Sequence, residues 1–120
     1  MIILDLLNTG SKILKNNKVQ TYQLDAEIIL ASLLKKRREQ IIINREEKVS
    51  NSNINNFNKL INRRSRREPL AYILRQKEFW SKSFFVNRST LIPRPETELL
   101  CDIVIKKIKN RTSYILDIGT

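Results

Sequence analysis

The sequence predicts a mainly α protein: an N-terminal helical bundle, a β-hairpin linker, and then the opening helix and strand of an α/β sheet. Three observations carry that expectation. Apolar residues recur at helical spacing in three separate stretches before residue 62. Two aromatic-rich runs, Glu78–Trp80 and Phe84–Val86, flank the polar Ser81-Lys82-Ser83 in the manner of a hairpin. The last residues then read as helix, short apolar strand, acid and glycine.

Each element has a local reason. Ile3, Leu6, Leu7, Ile13 and Leu14 share one helical face, interrupted by Gly10, which costs about 1 kcal/mol relative to alanine inside a helix. After the polar stretch 15–20, Thr21 is an N-cap for a second helix with Leu24, Ile28, Ala31 and Leu34 on its stripe. Asp25 and Glu27 sit in its first turn, where the dipole favours acids, and the basic run Lys35–Arg38 suits its other end. Ile41-Ile42-Ile43 reads as strand by propensity, but the run is too short and isolated to find a sheet partner, so a short helix is expected there. Ser50-Asn51-Ser52-Asn53 offers N-caps for a stripe of Ile54, Phe57, Leu60 and Ile61, which runs into Arg63–Arg67 and stops at Pro69.

Residues 1–68 thus read as a helical domain, 69–92 as a β-hairpin linker and 93–120 as the start of a further domain. Pro93 and Pro95 set an extended approach to a helix opened by Glu96, Thr97 and Glu98, with Leu99, Leu100, Ile103, Val104 and Ile108 as its stripe and Lys106, Lys107 and Lys109 at its end. Ser113–Ile118 is a short apolar strand, followed by Gly119 and Thr120. An apolar strand ending in an acid and then glycine is how nucleotide-binding α/β sheets begin. Because a lone parallel strand is not stable, the chain reads as the front of a longer protein.

Composition removes several classes. With 41% hydrophobic and 29% charged residues over 120 positions, wholesale disorder is excluded. One cysteine, Cys101, and no histidine leave no internal disulfide and no zinc site, so no metal is expected. Asp5 stands where a secretory signal would be basic, and no apolar run reaches membrane length, which points to a soluble cytoplasmic protein. The net charge of +11 has two readings. One is a partner rich in phosphate or carboxylate, such as RNA, a ribosome or an acidic protein. The other is compositional bias, since 17 Ile and 12 Asn accompany the 12 Lys.

Three blocks carry a family resemblance: Arg66-Arg67-Glu68-Pro69-Leu70-Ala71-Tyr72-Ile73-Leu74, then Lys77-Glu78-Phe79-Trp80, then Leu91-Ile92-Pro93-Arg94-Pro95-Glu96-Thr97-Glu98-Leu99-Leu100. Together they closely resemble the HemK/PrmC family of peptide-chain release-factor glutamine methyltransferases. Asp25–Leu30 resembles the family's second helix, and Ile115–Thr120 the opening of its S-adenosylmethionine loop. The resemblance implies a helical domain that recognises release factors, a hairpin linker, and an incomplete Rossmann-like α/β methyltransferase domain. The implied reaction moves a methyl group from S-adenosylmethionine to the side-chain amide of the glutamine in a Gly-Gly-Gln tripeptide. Peptide chain release factors 1 and 2 are the implied partners, the ribosome or RNA is a further contact for the basic surface, and a monomer is expected.

Residue by residue, Gly119 and Thr120 match the first positions of the cofactor loop and Asp117 the acid before it. The Pro93–Glu98 block matches the segment entering the catalytic domain. The family's Asn-Pro-Pro-Tyr motif does not occur in this chain, which has no catalytic residue to assign and is expected to be inactive alone. The alternative is a non-catalytic basic adaptor for a release factor, the ribosome or RNA. Arg67 and Arg75 stand where the family usually has glycine, and if either backbone needs positive φ, arginine there costs about 1 kcal/mol or more.

Several residues keep two readings. Arg94 is either a substrate contact or a structural donor between two prolines. Glu96 and Glu98 are helix-start acids or ligand contacts. Trp80, Phe84 and Phe85 are a core beneath the catalytic domain, exposed if that domain is absent, or a docking surface. Cys101 is expected to be buried and inert, and Arg63–Arg67 to be a solvated helix end or a contact for release factor or ribosomal RNA.

Overall fold

A computed structural model describes residues 1–108, 112 and 114–118. Its elements are α1 (Ile3–Asn16), α2 (Tyr22–Leu34), α3 (Arg38–Ile43), α4 (Asn51–Ser65), α5 (Leu70–Leu74), β1 (Gln76–Phe79), β2 (Lys82–Phe85) and α6 (Pro95–Lys107). They fall into two compact units, Met1–Arg75 and Gln76–Thr120.

In the first unit α1, α2 and α4 pack on one another, with α3 against α2 and α5 against both α2 and α4. The core is apolar: Ile3, Leu6, Leu14, Ala26, Ile29, Leu30, Ile41, Phe57 and Ile61 are all buried. Fully burying a Leu, Ile or Phe side chain contributes roughly 1.5–3 kcal/mol. No side chain caps α1. Instead residues 45–49 run back beside its start, so the Ile3 and Leu4 amides donate to the carbonyls of Glu47 and Arg45 at 3.0 and 2.9 Å. The Asp5 carboxylate also accepts from the Ile2 amide at 3.4 Å. These oxygens supply acceptors for amide donors that a helix start otherwise leaves unpaired.

α1 continues through Gly10, and the reason is a close approach. A Cβ on Gly10 would lie 2.7 Å from Cζ of Phe57 and 3.2 Å from Cδ1 of Ile61. Glycine therefore offsets its helix cost by letting α4 seat against α1. The end of α1 is closed by the Val19 amide on the Leu14 carbonyl and the Lys18 amide on the Lys15 carbonyl, both at 3.0 Å, with Lys18 at φ 61°. That is the Schellman pattern, and Val19 is buried as the apolar residue beyond it.

The expected short helix over the isoleucine run is α3, and Ile41 is its buried residue. At α4, Ser50 is the N-cap and its Oγ accepts from the Asn53 amide at 3.3 Å. Thr21 precedes α2 as expected but makes no side-chain cap bond. The first unit extends past residue 68 because Leu70–Leu74 turn into a helix that packs on α2 and α4, so the division falls after Arg75.

The second unit holds the antiparallel β1–β2 hairpin, with Gln76 opposite Phe85 and Phe79 opposite Lys82. Its turn is Trp80-Ser81, one residue earlier than the polar tripeptide indicates. Both residues have positive φ, 49° and 59°. Positive φ at both central residues is what a twist-matched two-residue turn requires, and here neither is glycine. Phe79 and Phe84 pack edge to face across the ladder, centroids 6.2 Å apart.

Two expectations for the last segment are corrected. Tyr114–Ile118 form no strand and are exposed, because among the described residues no parallel neighbour supplies the missing ladder bonds. Cys101 is half-buried, since the apolar stripe of α6 lies largely open, with Leu99 64% and Leu100 60% exposed.

Candidate functional site

The residues expected to hold cofactor and substrate are described only in part. Gly119 and Thr120 lie outside the described residues. Asp117 is exposed and belongs to no element, and Arg94 is exposed at the N-cap of α6. An S-adenosylmethionine pocket of the implied kind needs a glycine loop at the carboxyl end of a sheet strand. The sheet among the described residues is the two-stranded hairpin. No cluster of metal-ligating side chains occurs among the described residues, and none of their helices is long and apolar enough to cross a membrane.

What the fold does bring together is a charged network at the end of α4. Arg64 reaches 39 positions back along the chain, its Nε donating to Oδ2 of Asp25 at 2.7 Å and its Nη1 to the Glu68 carbonyl at 3.0 Å. Asp25 is 4% exposed. A carboxylate this deep needs a charged partner, and a guanidinium supplies directional donors as well as charge. Beside it Arg63 grips Glu68 with two bonds, 2.8 and 2.6 Å. The hydrogen bond that Arg63 donates to Glu68 pushes the Arg63 pKa further up, with desolvation opposing and the charge of Glu68 assisting.

Arg63–Arg67 is thus divided: the first two arginines hold the fold, while Arg66 and Arg67 are exposed. The helix-start reading of Asp25 missed this pair. The available signal was an acid flanked by Leu24 and Ala26 on a strongly apolar helix, which places it close to the core.

A groove of about 560 Å³ opens beside this network, lined by Lys18, Val19, Gln20, Thr21, Arg64 and Arg67. It lies where the end of α1, the start of α2 and the end of α4 meet.

In the second unit, acids of α6 clasp the hairpin turn. The Trp80 amide donates to Oε1 of Glu98 at 2.7 Å, and its indole Nε1 to Oδ1 of Asp102 at 2.9 Å. Glu98 and Asp102 are one helical turn apart, so one face of α6 presents both. Glu98 therefore does more than open its helix. Trp80, Phe84 and Phe85 are 40%, 47% and 68% exposed.

Known proteins match most of this chain. A release factor glutamine methyltransferase of Buchnera aphidicola subsp. Schizaphis graminum is 47% identical over 96 residues, which is 80% of this chain and 35% of that protein. The one from Leptospira interrogans is 39% identical and covers 98% of this chain and 42% of its own length. A bifunctional methyltransferase of Rickettsia felis is 38% identical over 92% of this chain and 21% of itself. The chain thus spans about two-fifths or less of the curated relatives it matches. The family model for the PrmC N-terminal domain matches residues 5–74, which cover α1 to α5. With that match running the length of the packed helical unit, the chain belongs to the PrmC N-terminal domain family.

Proposed function

We propose that this chain is the release-factor-recognition part of a methyltransferase that moves a methyl group from S-adenosylmethionine to the glutamine side-chain amide of the Gly-Gly-Gln tripeptide. The single observation behind this is the family match over residues 5–74, the same span that forms one packed helical unit. The helical unit recognises release factors 1 and 2, the hairpin links it onward, and residues from 93 begin the catalytic domain. The protein works in the cytoplasm as a monomer.

An amide nitrogen is a weak nucleophile, so methyl transfer depends on holding it in line with the sulfonium methyl and excluding water. The given sequence contains no Asn-Pro-Pro-Tyr segment. In this reading the 120 residues bind substrate without methylating it. Arg94, exposed at the head of α6, is the residue assigned in this reading to contact the release factor.

The test pairs binding with turnover. Purified chain is mixed with each release factor and methyl-labelled S-adenosylmethionine. The expected result is a complex detected by calorimetry, weakened by Arg94→Ala, with no label on the release factor. Label transferred by the chain alone would refute its inactivity. A folded chain that binds neither release factor would refute recognition.

A further inference from the structure

We propose that the groove between the ends of α1 and α4 and the start of α2 binds the phosphodiester backbone of RNA, with Lys18 and Arg67 as the phosphate contacts. The inference goes beyond methyl transfer and does not depend on it.

The first unit is strongly basic. The first unit carries 15 Lys and Arg against seven Asp and Glu. Four of those acids, Asp25, Glu27, Glu47 and Glu68, already pair with Arg64, Arg38, Lys36 and Arg63. No acid lines the groove, while Lys18 and Arg67 are exposed and form no ion pair among the described residues. Both stand on left-handed backbone, φ 61° and 67°. Each position terminates a helix, a task glycine performs with less strain, and Arg67 stands where the resembling family usually has glycine. Lysine and arginine at these positions add charge that capping does not require.

The lining also separates RNA from an acidic protein. Protein interfaces draw most of their energy from a few anchors, chiefly Trp, Tyr and Arg seated in well-packed, desolvated pockets. In this groove the apolar residue is Val19, which is buried, and the accessible surface is Lys18, Gln20, Thr21 and Arg67. Phosphate contacts need cations and hydrogen-bond donors without an apolar anchor.

Fluorescence anisotropy with a fluorescein-labelled single-stranded RNA of about 12 nucleotides tests this. The 120-residue chain should bind, with affinity falling as salt rises. The double variant Lys18→Gln/Arg67→Gln should bind at least about fivefold more weakly, and its log–log salt slope should be shallower by about 1.4, from ~0.7 per lost contact. Lys12→Gln/Lys59→Gln removes the same charge from exposed sites outside the groove and should stay within about twofold, consistent with a local contact. Arg67→Gly separates binding from folding, since it should weaken RNA binding while raising the melting temperature. Absence of binding, equal losses in the two double variants, or displacement of the RNA by an equal concentration of polyglutamate would each overturn the proposal.

Discussion

Arg67 and Arg75 both adopt left-handed backbone, φ 67° and 59°. The sequence carried the condition, arginine where glycine is usual, and the fold supplies the answer, because each residue lies just past the end of a helix. Replacing either with glycine should stabilise the chain by about 0.5–1 kcal/mol, the strain relieved outweighing the looser unfolded chain. Urea titration would show it as a higher midpoint at unchanged slope. The Asp25–Arg64 pair predicts the opposite sign. Arg64→Ala leaves a buried carboxylate uncompensated and should cost about 3 kcal/mol, whereas Asp25→Leu/Arg64→Met should recover most of that loss. Arg63 differs again. Its pKa is raised in the fold, so its contribution is present below the ordinary arginine value and is lost only as pH climbs beyond it. Between about pH 6 and 9 the Arg63 guanidinium should add no slope to stability. Asp25 was legible as an acid but not as a buried one, because its partner lies 39 residues away.

Helix spacing, caps and the proline stop were readable element by element, since each depends on residues within a few positions. Gly10 was not. Judged locally it only weakens α1, and only the packed pair shows Phe57 occupying the place of its missing side chain. Gly10→Ala would stabilise an exposed helix by about 1 kcal/mol. Here overpacking should reverse the sign to a net loss of about 1–2 kcal/mol, measurable by thermal unfolding. The hairpin makes a similar point. Its existence follows from the alternation of aromatic and polar residues, but its turn moves to Trp80-Ser81 because Glu98 and Asp102 hold Trp80 in place. Ser81→Gly should relieve about 1 kcal/mol of strain and slow amide exchange in β1 and β2.

At the scale of the whole molecule, the largest cluster of buried core residues in the first unit comes from α1 to α4 and their connections. Residues 1–75 should therefore fold alone and unfold in one cooperative transition by circular dichroism. The apolar stripe of α6 and the segment 114–118 are exposed, and a sheet for them to join is not among the described residues. By itself the sequence determined the helical class, the hairpin, the charge and the family, because periodicity, local turn chemistry and motif blocks are properties of neighbouring residues. Only the tertiary structure decided that Gly10 is a contact surface, that Arg64 serves Asp25 while Arg67 stays open, and that Trp80 forms a turn clasped by α6. Those outcomes depend on which distant residues meet, and burial turns such meetings into energy.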